Sequence, residues 1–475
     1  MAGRVVKGVS WSAIERFSVQ AVQFIVSVVL ARLLTPSDFG VVALALVIMN
    51  VLQTINEVGF GAALMQKLDR DELDFSSVFV MNMVMGVVLY AILYVVAPLM
   101  ETAFDLTGLA TVVRWLGLNL IITSFVVVQR TKLFISVDFK TMAKASLVAV
   151  LVSGAVGIWY AYQGGGVMAL VAQSLLNNLL TTLLIWMQVK WRPILQFSWQ
   201  RFVSLFRYAY KLILARFVNV VFNEVYSVVI GAYYSPAQLG LFNRAKSFET
   251  MSSNNITQIV QRVSTPILCE KQKDNIEMGQ ALMSFIRNTA FVVYPLLFGL
   301  AVLAEPLISV LLTDKWLGAV WILQVLCPVG LLYVISTFNM TVFNATGRTD
   351  WALKAEVIKK VTDIAIIAVA IMLGFEALVW SQVVIAVFEA IVNMYYTKKQ
   401  IGLSLVAQLK SVLGILVSAI VMAIGVTLIS MLFEDNIIKL VVGVVSGVAI
   451  YAIACFVFDV NSSRALVARI IKSRR

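Results

Sequence analysis

Apolar runs long enough to cross a bilayer recur along almost the whole chain, from residue 9 to residue 458. A membrane-spanning helix needs about 20 predominantly apolar residues. The runs that reach this length predict fourteen helices, near residues 9–34, 38–60, 75–99, 110–131, 143–162, 166–189, 208–232, 238–263, 280–304, 317–345, 351–374, 376–397, 405–432 and 437–458. The pattern therefore predicts an all-α integral membrane protein.

Two consecutive helices, 208–232 and 238–263, carry many more polar groups than lipid tolerates. The first contains Arg216, Asn219, Asn223 and Glu224 in an otherwise apolar segment. The second has a polar stripe at helical spacing, formed by Lys246, Thr250, Asn254, Thr257 and Gln261. Such a face must meet protein or water, because desolvating it against hydrocarbon is costly. We interpret the pair as one wall of a water-filled chamber.

Composition supports the membrane class and excludes several kinds of chemistry. Hydrophobic residues make up 61% and charged residues 13% of the 475 residues. There is no histidine, and the three cysteines lie far apart, so zinc and redox sites and any bound cofactor are not expected. The first apolar run continues without a cleavage motif, so it is expected to remain as an anchor.

Basic residues collect in alternate loops and orient the chain. The loops that share a side with Arg4 and Lys7 carry Lys67, Arg130, Lys190, Lys271, Arg348 and Lys398 among others, as does the tail from Arg464 to Arg475. The intervening loops are acidic or neutral. The positive-inside rule then predicts that both termini are cytoplasmic. The net charge of +12 follows from this topology and from anionic lipid as a partner, and no nucleic acid is expected.

The chain also resembles itself at an offset of 200 residues. Pro36 and Gly40 align with Pro236 and Gly240, and Arg16 aligns with Arg216 inside the preceding helix. Six helices separate the copies, which predicts two lobes related by an axis along the membrane normal. Chance agreement between apolar helices is the alternative. The predicted organisation is an N-lobe at 1–189, an elbow linker at 190–207, a C-lobe at 208–400, two further helices at 401–460 and a basic cytoplasmic tail at 461–475.

Several short patterns resemble one transporter family. They are Ser10-Trp11-Ser12-Ala13-Ile14, Val29-Leu30-Ala31-Arg32, Gly59-Phe60-Gly61 ahead of Gln66-Lys67, and Lys315-Trp316 followed by Leu323-Gln324-Val325-Leu326-Cys327. The chain is similar to the polysaccharide transporter (Wzx-type) flippases of the multidrug/oligosaccharidyl-lipid/polysaccharide exporter superfamily, and most similar to the colanic-acid-exporter branch.

This resemblance implies a V-shaped fold of fourteen helices in the bacterial inner membrane. It implies transfer of undecaprenyl-pyrophosphate-linked oligosaccharide from the cytoplasmic to the periplasmic leaflet, in exopolysaccharide, capsule or lipopolysaccharide assembly. We expect a monomer that works with a polysaccharide polymerase and glycosyltransferases.

Intramembrane cations suit the pyrophosphate of such a substrate. Arg16 and Arg216 are expected near the cytoplasmic mouth, and Arg244 and Lys246 near mid-membrane. Alternatively, Arg16 pairs with Glu15 or reaches the interface, and Lys246 pairs with Glu249 or Glu224.

Amides suit the glycan. The candidates for a cavity lining are Gln20, Gln23, Asn50, Gln53, Asn219, Asn223 and Asn254. Each could instead make an interhelical hydrogen bond.

Two acids away from helix ends, Glu224 and Asp363, are candidates for ion coupling, with H⁺ or Na⁺ as the coupling ion. Structural ion pairs with Arg216 or Lys360 are the alternative.

Two other function classes remain. A cation-coupled multidrug antiporter would need an acidic or aromatic chamber, which the cationic excess disfavours. A glycosyltransferase is disfavoured because the single D-x-D, at Asp69 to Asp71, lies in a short loop. The sequence thus predicts a transporter that is not an enzyme.

Overall fold

The structure is a computed structural model of the whole chain. It describes the backbone of residues 2–194 and 196–458. Side chains are described within these ranges except at residues 2–17, 57–59, 208, 211, 215 and 349. The predicted basic tail therefore lies outside the described residues.

The described chain is helical and contains no strand. The first nine helices are α1 (Ala2–Leu33), α2 (Pro36–Gln66), α3 (Glu72–Ala103), α4 (Leu109–Ser124), α5 (Val127–Ile135), α6 (Phe139–Tyr162), α7 (Val167–Gln188), α8 (Trp199–Tyr233) and α9 (Pro236–Glu270). The remaining helices are α10 (Asn275–Val302), α11 (Ala304–Leu312), α12 (Ala319–Ala345), α13 (Thr349–Leu373), α14 (Phe375–Ile401), α15 (Leu405–Ser430) and α16 (Asn436–Phe458).

The chain divides into two compact units, residues 1–240 and 241–475. In the first unit, the main packed pairs are α2 with α8, α1 with α6, α6 with α7 and α3 with α4. In the second, α15 packs on α16, α12 on α14, α10 on α15 and α13 on α14. The predicted boundaries of the two lobes and the elbow stay a prediction.

Within the described part of the chain, ten helices are long and apolar enough to cross a membrane, and α4 with α5 forms an eleventh candidate span that is bent by 44°. Helices α1, α9 and α13 are also long, with 32, 35 and 25 residues, but the described parts of these helices do not meet the same criteria of length and apolarity. The integral membrane class is thus clear. The number fourteen stays a prediction.

The two proline-containing turns that the sequence repeat aligns have the same local structure. Thr35 caps α2 through Asp38, whose carboxylate accepts the Thr35 N–H at 2.8 Å. Ser235 and the Gln238 carboxamide make the equivalent contact at the start of α9, at 3.0 Å. Both helices begin with proline at the first position, where its missing N–H costs nothing.

These turns also touch each other within the first unit. A methyl group added at Gly40 would overlap the carbonyl oxygen of Pro236, and one added at Gly240 would overlap that of Pro36. Each glycine therefore permits a close approach of two backbones that any side chain would prevent. The contact is reciprocal, as expected if the two segments are equivalent.

Several helix boundaries differ from the sequence prediction, and two of the differences have a clear local cause. The segment predicted as one helix at 110–131 is broken between Ser124 and Val127, where the carbonyl of Phe125 leaves the helical ladder and accepts the indole N–H of Trp186 at 2.8 Å. Helix α8 begins at Trp199, inside the predicted elbow, because Ser198 caps it and no proline follows before Tyr233.

Hydrogen bonds and an ion pair hold the remaining part of the elbow against the start of α3. The backbone N–H groups of Ile194 and Ser198 donate to the hydroxyls of Ser76 and Ser77, each at 3.0 Å. Arg201 contacts the carboxylate of Asp71 at 3.0 Å. These bonds satisfy backbone groups that a non-helical segment would otherwise leave unpaired.

Candidate functional site

Three polar residues predicted on one face of α8 are exposed in the structure. Arg216, Asn219 and Asn223 are all exposed, and their spacing places them on one side of the helix. The seven helical steps from Arg216 to Asn223 cover about 10 Å of helix length. Ser227, next on this face toward Tyr233, is buried at 2% exposure. The first unit therefore presents a polar stripe on a helix that can span the membrane.

A hydrogen bond joins two predicted site residues across the contact of α2 and α8. The Nδ2 atom of Asn50 donates to Oε1 of Glu224 at 2.9 Å. Asn50 lies about 21 Å along α2 from Pro36, and Glu224 about 18 Å along α8 from Pro236, at 1.5 Å per residue. Since the two proline-containing turns meet, these similar distances place both side chains at nearly the same level, near the middle of a hydrocarbon core about 30 Å thick.

The remaining predicted residues of the first unit lie on α1 and α2 or outside the described part. Gln53, one turn from Asn50, is half-buried, as is Gln20, while Gln23 is exposed. The side chain of Arg16 lies outside the described residues. The structure thus brings Asn50 and Glu224 together.

In the second unit, the two predicted cations of α9 stand against aromatic rings. Arg244 is 8% exposed, and its guanidinium carbon lies 5.4 Å from the ring centre of the buried Trp316. The Nζ atom of half-buried Lys246 lies 5.8 Å from the ring centre of Phe242. Such cation–π contacts contribute about 0.5–2 kcal/mol, more when water is excluded. Arg244 is therefore held inside the second unit, and Lys246 remains partly accessible.

The polar stripe of α9 packs partly on α12. Oδ1 of Asn254 accepts the hydroxyl of Tyr333 at 2.9 Å, and Nε2 of Gln261 donates to Thr341 at 3.1 Å. Thr257, on the same stripe, is fully buried. In this conformation the stripe thus makes interhelical hydrogen bonds, which the sequence analysis gave as the alternative for each amide.

Asp363 lies in a cluster of charged groups between α13 and α14. Lys360 contacts Asp363 at 3.1 Å and Glu389 at 3.4 Å, so the ion pair considered as the alternative for Asp363 is present. Lys359, one residue before, is paired with Glu356. Asp363 is 6% exposed, and its Oδ1 has no hydrogen-bond partner among the described residues.

This cluster contains three carboxylates and two ammonium groups. With all groups ionised it would carry one uncompensated negative charge within a membrane-spanning region, which is costly unless a cation or proton neutralises it. The sequence analysis singled out Asp363 but missed the Glu356–Lys359 pair. The signal was present, because both ion pairs within α13 have the i, i+3 spacing that places two side chains on one helical face.

The comparisons with known proteins agree with one another. Residues 29–321, more than half of the chain, match the model of a family described as "Polysaccharide biosynthesis protein". The chain is 26% identical to the teichuronic acid biosynthesis protein TuaB of Bacillus subtilis over 351 residues, which cover 74% of this chain and 73% of TuaB. It is 24% identical to the succinoglycan biosynthesis transport protein ExoT of Rhizobium meliloti, over 100% of this chain and 96% of ExoT.

Among solved structures, the lipid II flippase MurJ in an inward closed conformation superposes with a TM-score of 0.78. The identity is 16%, and the match covers 96% of this chain and 99% of MurJ. This likeness shows a common fold. Together with the family match, it confirms the resemblance to polysaccharide flippases that the sequence motifs indicated.

Proposed function

This chain belongs to the polysaccharide biosynthesis protein family as a multi-pass membrane transporter, and we propose that it is a flippase for lipid-linked oligosaccharides. Its substrate would be an undecaprenyl-pyrophosphate-linked oligosaccharide repeat unit. It would carry that unit from the cytoplasmic to the periplasmic leaflet by alternating access, with both of its own termini in the cytoplasm.

The exposed polar stripe of α8 is the observation that carries this proposal. A lipid-facing helix surface with a guanidinium and two carboxamides would be strongly disfavoured, so the stripe requires water or a polar ligand beside it. A lipid-linked oligosaccharide supplies both complementary groups. Its pyrophosphate accepts charge-assisted hydrogen bonds from Arg216, and its hydroxyls pair with Asn219 and Asn223.

The lipid moiety does not have to leave the bilayer in this arrangement. The polyprenyl chain can stay in the hydrocarbon while only the polar head moves along the stripe. In the proposed cycle, Arg216 receives the pyrophosphate near the cytoplasmic entrance. The amides of α8, with Asn50 and Gln53 on α2, then contact the glycan at mid-membrane.

Movement in one direction needs a driving force, and the charged cluster of α13 and α14 supports ion coupling through Asp363. A proton or Na⁺ that neutralises the extra carboxylate would be bound while the cluster is buried and released when water reaches it. Glu224 is a second candidate, because its bond to Asn50 would be altered by protonation. A change of partner at Glu224 would then act on the contact between α2 and α8.

The direct test is transport of a fluorescent lipid-linked oligosaccharide in proteoliposomes that contain the purified protein. Arg216→Ala should slow transport, and Arg216→Lys should restore part of the rate, because the charge returns without the two-pronged geometry. Lys273→Ala, which removes an exposed cation in the loop after α9, is the matched control. Equal rates for Arg216→Ala and the control would reject the head-group assignment.

The same vesicles separate the proposal from drug export. A multidrug antiporter would move organic cations and leave the lipid-linked oligosaccharide in place. Replacing Na⁺ by K⁺, and separately collapsing the pH gradient, identifies the coupling ion. Asp363→Asn should reduce the dependence on whichever ion drives the wild-type protein.

A further inference from the structure

A carboxylate that the proposed site does not use lies buried in the middle of α9. Glu249 is 8% exposed. It lies thirteen residues from Pro236, or about 20 Å along the helix at 1.5 Å per residue. A hydrocarbon core is about 30 Å thick, so a group at this distance from the turn lies inside it, nearer to the opposite surface.

The hydrogen-bond partners of Glu249 are neutral. The hydroxyl of Ser253 donates to Oε1 at 2.6 Å, and that of Thr250 donates to Oε2 at 3.2 Å. No salt bridge to this carboxylate is found among the described residues. Two hydroxyl donors satisfy hydrogen bonding but do not balance a charge, and burying an ionised carboxylate without a paired cation costs several kcal/mol.

Helix α12 is shaped to receive the carboxyl group. A methyl group added at Gly330 would overlap Oε1 of Glu249, and it would also touch the Leu297 side chain of α10 and the Cβ of Ser253. The carboxyl group therefore fills the space above a glycine, with an apolar leucine beside it. Such a fit gives no room for a hydration shell.

The titratable groups that act on Glu249 come from two helices. On α9 itself the cation is Lys246, one turn away. On α12 they are the thiol of Cys327 and the phenol of Tyr333, neither of which carries a positive charge. Tyr294, the buried titratable group of α10 near this contact, directs its hydroxyl to the carbonyl of Leu331. Lys246 is half-buried, and its Nζ atom lies 5.8 Å from the ring centre of Phe242 and makes no salt bridge with Glu249 among the described residues.

We propose that Glu249 is a proton-binding residue that is neutral while α9 is seated on Gly330 and ionised when water reaches this face of α9. In the seated state one carboxyl oxygen carries the proton. When the face becomes hydrated, the proton passes to water and the carboxylate can pair with Lys246. On reseating, Glu249 takes one proton from water again. Each opening and closing of this contact thus exchanges one proton.

This inference rests on the proposed flippase function for its consequence, because proton exchange at Glu249 would make transport depend on pH. It is distinct from the cluster at Asp363, which lies between α13 and α14. Glu249 belongs to the contact of α9 with α12.

Carbodiimide labelling tests the protonation state directly in the full-length protein in liposomes. A hydrophobic carbodiimide reacts with protonated carboxyl groups in apolar surroundings, and peptide mass spectrometry locates the adduct. Glu249 should be labelled at neutral pH, and labelling should fall as the pH is raised. Absence of an adduct at Glu249 across the pH range would overturn the proposal, and this result needs no variant to fold.

Transport supplies the second readout. Glu249→Gln keeps the shape and hydrogen-bonding capacity but cannot release a proton. Wild-type transport should change by up to about tenfold per pH unit where Glu249 titrates, and Glu249→Gln should change less than about twofold over the same range. Glu305→Gln, at an exposed carboxylate at the start of α11, should keep the wild-type profile.

The outcomes separate this inference from the function on which it rests. A Glu249→Gln variant with the wild-type pH profile would overturn the role of Glu249, although the flippase function would stand. If the wild-type protein moves no lipid-linked oligosaccharide at any pH, the proposed function fails, and the labelling experiment still decides whether Glu249 is protonated.

Discussion

The reciprocal contact between the two proline turns leads to a sharp prediction about Gly40. Gly40→Ala adds one methyl group that meets the carbonyl oxygen of Pro236. This oxygen belongs to the backbone at the first position of α9, whose start is held by the Ser235–Gln238 contact. The obstacle is therefore not a flexible side chain that could turn away.

Two effects of the substitution oppose each other. Alanine stabilises a helix interior by up to about 1 kcal/mol relative to glycine. Overpacking against a fixed neighbour costs about 1–3 kcal/mol, and more when backbone must shift. The clash should win, with a net loss of about 1–2 kcal/mol of stability in the first unit. Because the contact is reciprocal, Gly240→Ala should lose a similar amount.

The assay is thermal unfolding of the purified protein in detergent, followed by the loss of the monodisperse species. Gly279→Ala is the matched control, because its added methyl group would meet only Leu403 atoms at 3.9 Å or more. Gly40→Ala and Gly240→Ala should both unfold at a lower temperature than the wild type, and Gly279→Ala at the same or a higher temperature. If Gly40→Ala unfolds with the control, the close approach of the two turns is not a feature of the folded protein.

Three further predictions concern single polar contacts. Asn339→Leu should destabilise the protein by about 1–3 kcal/mol, because it leaves the buried Gln408 amide of α15 without its hydrogen-bond partner at 2.8 Å. In the same unfolding assay, the double variant Asn339→Leu with Gln408→Leu should recover much of that loss. Lys360→Gln should lower stability because it leaves Asp363 and Glu389 without their shared cation, and adding Asp363→Asn should recover part of that loss. The pKa of Asp71 lies below its ordinary value because the backbone N–H of Asp74 donates to its carboxylate and Arg201 lies nearby. The stability that this carboxylate contributes is therefore present above the ordinary pKa and is lost as the pH falls through the lowered pKa. The difference in unfolding temperature between wild type and Asp71→Asn should vanish in acid, and a difference that stays constant with pH would contradict this assignment.

Local features of the fold could be read from the sequence because they depend on neighbouring residues. The start of α2 follows from Thr35, Pro36 and Asp38, which together form a capping box at that position. The alignment of Pro36 with Pro236 likewise anticipated two turns of the same kind. The bend between α4 and α5 could not be anticipated in this way, because Trp186, on a helix distant in sequence, accommodates the freed carbonyl of Phe125.

The candidate site was likewise predictable from the sequence only in part. Spacing alone placed Arg216, Asn219 and Asn223 on one face of a helix, and the structure shows that face exposed. Spacing also placed Asn254 and Gln261 on one face, but there the structure shows hydrogen bonds to α12. The difference depends on which helix lies opposite each stripe, and the period of a helix carries no information about its neighbour.

By itself, the sequence determined that this is a helical, multi-pass membrane protein, where its polar stripes lie, and which transporter family it resembles. Those properties follow from hydropathy, helical period and short motifs, all of which are local. Only the tertiary structure decided that Asn50 meets Glu224, that Arg244 is buried over Trp316, and that Glu249 is enclosed beside Gly330. Each of these depends on two segments far apart in the chain, and the fate of a polar group in a membrane is set by the partner it finds there.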